Sequence, residues 1–120
     1  MLVIKERTTG TVSFTLKNEA DVAISLSAIL TAAVTMKDVA SDTVVNGWDE
    51  RDILNANGVT IDANGTVTWP LEQLDTALVV PTSTNEIRRV LVDFTYTAGA
   101  LTKRHYDDFE ILIEAEPWVP

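Results

Sequence analysis

His105, Asp107, Asp108 and Glu110 bring an imidazole and three carboxylates together near the end of a 120-residue chain. Those residue types build metal sites and acid–base pairs. Their spacing works against both. If this stretch is a strand, His105 and Asp107 take one face while Asp108 and Glu110 take the other. A second candidate is Asp62-Ala63-Asn64-Gly65, which opens like a calcium loop, with oxygen ligands at alternate positions followed by glycine. Such a loop needs a bidentate acid at its twelfth position. Here that position holds Gln73, and Trp69-Pro70 fall inside the window. A hairpin turn is the expected use of Asp62 to Gly65. The chain has one His and no Cys, which excludes disulfides, thiolate zinc sites, Cys nucleophiles and multi-His metal sites. No Ser sits in a glycine elbow, so acyl transfer has no support. The expectation is a protein that is not an enzyme, with no catalytic residue, metal or cofactor.

Other residues suit contact rather than catalysis. Arg88-Arg89 and Lys103-Arg104 flank Gly99 and are expected to approach one another across the base of a hairpin. There they would either pair with acids such as Asp107 and Asp108 or form a basic patch for an acidic partner. Trp69, on an alternating segment with Val67, is expected in the core. Trp48 follows Asn46-Gly47 and reads as a loop anchor or a ligand platform. Trp118 follows Pro117 in a tail closed by Pro120, where a large ring can serve as a docking anchor. The partner-docking candidates are therefore Trp118, Pro117, Trp48, Arg88, Arg89, Lys103 and Arg104. A formal net charge of −9 argues against nucleic acid and anionic membranes as partners. No apolar run is long enough to span a bilayer, and the start lacks the order of a signal peptide.

The elements that hold these residues are read from period-two alternation. The 16 Thr, 14 Val and 8 Ile favour pleated structure. Strands are predicted over residues 1–17 as two short pieces, over 22–30, over 31–38, and at 43–45. Residues 58–62 and 66–70 form a hairpin around Asn64-Gly65. Pro70 closes its second strand or lies on an edge. Apolar positions at Leu71, Leu74 and Leu78 predict a turn or two of helix. Residues 88–97 and 101–115 form the longest hairpin, with Phe94 and Ile111 in the core. The result is a single domain over residues 1–120 with a Pro-flanked tail at 116–120. Its fold class is all-β, an antiparallel immunoglobulin-like β-sandwich of about seven to nine strands with at most one short helix. A small closed barrel is the alternative.

Val59 to Trp69, Leu71 to Thr76 and Arg89 to Thr97 together give a Gly-x-Val-x-Trp strand, a short segment ending at Asp-Thr, and a Phe-x-Tyr-Thr strand. In this the chain resembles small immunoglobulin-like structural proteins of tailed bacteriophages, over about residues 58–115. The resemblance implies a virion component of the neck, tail, baseplate or capsid surface, made in the host cytoplasm. Such a protein would form homo-oligomers and dock onto other virion proteins. It supplies no binding residues to carry over. The competing class is a carbohydrate- or cell-surface-binding β-sandwich module, which exposed aromatics on one concave face would favour.

Overall fold

Alternation and turn chemistry produce two packed sheets. A computed structural model of the chain describes residues 2–115. In chain order the strands are β1 (Leu2–Lys5), β2 (Thr11–Thr15), β3 (Ile29–Asp38), β4 (Thr43–Val44), β5 (Arg51–Asp52), β6 (Thr60–Ile61), β7 (Thr66–Pro70), β8 (Asn85–Ala98) and β9 (Leu101–Glu114). A 3₁₀ turn at Leu26–Ala28 and one helical turn, α1 (Gln73–Thr76), complete the described elements. The larger sheet runs β1-β9-β8-β3-β4, with β5 also on β3; the smaller runs β2-β7-β6. A three-stranded sheet facing one in which the last hairpin lies beside β3 is the Greek-key arrangement of immunoglobulin-like sandwiches. The expected fold class is what the chain adopts.

The two predicted hairpins are present. Thr60 and Ile61 pair with Thr68 and Val67 around the Asn64-Gly65 turn. Gly65 has φ +78°, and a Cβ there would collide with the Ile24 carbonyl oxygen, so glycine is required twice over. β8 and β9 pair over their full length, from Asn85 opposite Glu114 to Ala98 opposite Leu101. One pair departs from the antiparallel expectation: β1 lies parallel to β9, with Leu2 opposite Ile111 and Lys5 opposite Glu114.

Residues 22–30 do not form the predicted strand. Asn18 Oδ1 accepts hydrogen bonds from the amides of Ala20 and Val22, which folds the chain into a side-chain-closed turn. A single bridge between Lys17 and Ala23 follows, then the 3₁₀ turn. Val22 is left exposed, while Ile24 is buried.

The core fills the space between the sheets. Val12, Val67 and Trp69 come from the smaller sheet; Val34, Met36, Val90, Val92, Phe94, Ile111 and Ile113 come from the larger. Phe94 and Ile111 are both fully covered, as the alternation predicts.

Candidate functional site

The residues singled out for chemistry are spent on structure. Asp62 Oδ1 accepts from the amides of Asn64 at 2.8 Å and Thr66 at 3.0 Å, and so shapes the β6–β7 turn. His105 lies edge-on to Phe94, with ring centroids 5.5 Å apart. Asp108 belongs to the opposite face, where Arg89 Nε and Nη2 donate to its Oδ2 at 3.1 and 2.6 Å. Among the described residues no group of three or more metal-ligating side chains converges.

The basic residues do not form a patch. Register places Arg88 and Arg89 opposite Ile111 and Glu110, and Lys103 and Arg104 opposite Tyr96 and Thr95. The two pairs are thus seven rungs apart, because the turn at Ala98-Gly99-Ala100 is tight and both strands are long. Arg88 is a correction to the docking set: its side chain is 0% exposed. It shares strand parity with Val90, Val92 and Phe94 and therefore points inward. Its Nη1 donates to Asp38 Oδ1 at 2.9 Å and Glu86 Oε1 at 2.8 Å, and its Nη2 donates to the Ala77 carbonyl at 2.8 Å.

Arg89, Lys103 and Arg104 stay outside, each with an acid. Arg104 Nε donates to Asp93 Oδ1 at 2.9 Å, and its guanidinium lies 5.0 Å from the Tyr106 ring centre. Lys103 Nζ donates to Glu19 Oε1 at 3.0 Å, and the Tyr96 hydroxyl donates to Glu19 Oε2 at 2.8 Å. Glu19's own amide, then Lys103 and Tyr96, hold the Glu19 carboxyl down at about 2. The same hydrogen bonds raise Lys103 and Tyr96 above their ordinary values.

Trp48 leaves the docking set as well: of its two expected readings the side chain takes that of the anchor, not of an open platform. It is 3% exposed. Its ring meets Trp69 edge-to-face at 4.7 Å, and its Nε1 donates to Asp75 Oδ1 at 2.7 Å. Asp75 is fixed in turn by α1, where a capping box joins it to Glu72. Arg51 covers the outer side of the ring at 4.6 Å. Pro117 and Trp118 lie outside the described residues.

What remains for contact with another molecule is an edge. β1 covers only the last four of the 14 residues of β9, and leaves Leu101–Glu110 unpaired on that side among the described residues. A groove of about 460 Å³ runs along part of this edge, bounded by Thr11–Phe14 of β2 and Asp107–Glu110 of β9. Phe14 and Phe109 line it, with ring centroids 5.3 Å apart. Tyr106, 52% exposed, stands near the middle of the open edge. The chain matches no known family model, and no curated protein matches it.

Proposed function

We propose that this chain is a non-enzymatic structural protein of a tailed-bacteriophage particle, which oligomerises and docks onto other particle proteins in the neck, tail or baseplate. The observation that supports this reading most is the open edge of β9. A long row of outward backbone donors and acceptors with no strand beside it is a template for another strand. Trp48, Asp75 and Arg88 are locked inside by hydrogen bonds to one another or to neighbouring acids, which leaves the open edge as the feature suited to contact. The acidic surface would favour basic partner faces and keep free subunits apart. The immunoglobulin-like topology and the pattern from Val59 to Thr97 agree with this role.

A carbohydrate-binding module is less well supported. Sugar platforms need open ring faces, yet Trp48 and Trp69 are buried, and Tyr106 is the one aromatic more than half exposed among the described residues.

Incorporation is the test. Particles banded from cells that express this gene should contain the chain at stoichiometric level by mass spectrometry. Its absence from banded particles would overturn the proposal. Deleting residues 117–120 then asks whether Trp118 docks in trans: loss of incorporation with an unchanged melting curve assigns the tail to a partner.

A further inference from the structure

β9 carries its charge in two blocks about one residue. The cations Lys103 and Arg104, then the imidazole of His105, precede Tyr106; the carboxylates of Asp107, Asp108 and Glu110 follow it. The same stretch is the part of the strand whose outer side no described neighbour covers. The centre of the charge pattern thus coincides with the centre of the open edge. We propose that a second copy of this chain adds to this edge, antiparallel and centred on Tyr106, joining the two larger sheets into one. The inference deepens the assembly reading above and rests on it only in requiring that copies associate.

The register follows from backbone and charge together. The amide of Asp108 turns away from β8, where Oδ1 of Asp107 accepts it at 3.0 Å. Amide direction alternates along a strand, so Arg104, Tyr106 and Glu110 also face outward. Outward groups must meet outward groups, and a two-fold axis normal to the sheet keeps each face with its like. Even-numbered positions must therefore oppose even-numbered positions.

Centring on Tyr106 then sets the His105 imidazole opposite the Asp107 carboxylate of the second copy, a donor facing an acceptor, and Arg104 opposite Asp108 of the second copy, opposite in charge, each twice by symmetry. Opposite charges directly across a rung are favourable. Centring on His105 instead keeps only Lys103 against Asp107 and sets Arg104 against Tyr106. A parallel in-register pairing sets Lys103 against Lys103 and Asp107 against Asp107, which is repulsive.

Existing ion pairs extend the pattern. Arg104 already holds Asp93, and Asp108 already holds Arg89. Across the junction the outer face would read Asp93, Arg104, then Asp108 and Arg89 of the second copy, alternating in sign at every step. Pairing ends at Thr102 opposite Glu110, because β1 takes the edge from Ile111 onward.

Charges on an edge strand can also serve to repel other strands, and the experiment separates the two roles. The full chain is followed by native mass spectrometry and sedimentation over a concentration series, and should form a dimer. Since the chain has no Cys, single-cysteine variants report the register. In the proposed pairing the α-carbons at the two-fold lie about 5.5 Å apart, within disulfide reach. Tyr106→Cys should give a covalent dimer under mild oxidation, while His105→Cys should not. Asp108→Lys should weaken the dimer at least tenfold with little change in melting temperature. A monomer at every concentration, or preferential cross-linking of His105→Cys, would overturn the proposal. A dimer absent from particles would sink the virion reading alone; a monomer found in particles would sink this one alone.

Discussion

Arg88 and Asp38 face each other directly across β8 and β3, joined at 2.9 Å with both side chains sealed from water. Glu86 completes the cluster and also accepts from the amides of Val79 and Val80 at 2.7 and 2.8 Å. Asp38 further accepts from the Ser41 amide and hydroxyl. The loops after β3 and before β8 are thereby tied to one cation. Removing that cation strands two buried carboxylates. Arg88→Met should cost about 3–5 kcal/mol, measured by urea unfolding. Arg88→Lys should recover only part of the loss, because an ammonium cannot supply the planar fork that reaches Asp38, Glu86 and the Ala77 carbonyl together. Full stability in either variant would count against the cluster.

Phe94 is 1% exposed and packs against His105 and Tyr96. Phe94→Ala should destabilise by about 3–5 kcal/mol. An unchanged thermal midpoint would rule out the central place of β8.

Two glycines with positive φ should respond unequally. At Gly65 an added Cβ meets the Ile24 carbonyl oxygen, whereas at Gly99 it meets nothing within 4 Å. Gly65→Ala should cost well over about 1 kcal/mol, and Gly99→Ala distinctly less. Paired melting curves decide the order.

Glu19 gives a pH dependence with a definite sign. Its carboxyl is lowered from 4.5 to about 2 in the fold. A depressed acid stabilises above its unfolded value, and that contribution is lost as pH falls through the folded one. The melting temperature should therefore decline between pH 4.5 and about 2. Glu19→Gln should decline less steeply over that window. The effect is small, because the carboxylate is exposed and screened. Identical slopes would show that Lys103 and Tyr96 do not hold Glu19 in solution.

The hairpins β6–β7 and β8–β9 were legible because alternation and Asn-Gly or Ala-Gly-Ala turns agree there. Residues 22–30 alternate too, but the Asn18 side chain closes a turn on the backbone of Ala20 and Val22, and strand pairing does not begin until Ile29. The inward placement of Arg88 carried a usable signal: it continues the parity of Val90, Val92, Phe94 and Tyr96. The adjacent Arg89 masks that signal, because the two read as one basic doublet although they point to opposite faces of β8. The charge blocks around Tyr106 stand in plain sight in the sequence. That they lie on an open edge does not, since strand order depends on contacts between distant segments. The pairing of β1 with the far end of β9 is one such contact.

That pairing sets the order of events at the ribosome. Leu2–Lys5 can be held by a strand only once Ile111–Glu114 have emerged. Of the described strands, the first to be made is among the last to find its place. Pairings between such distant segments are slow, because the intervening loop must close before any contact rewards it. During translation the apolar Leu2-Val3-Ile4 stretch waits without its neighbour, so the larger sheet cannot be completed until β9 has been made.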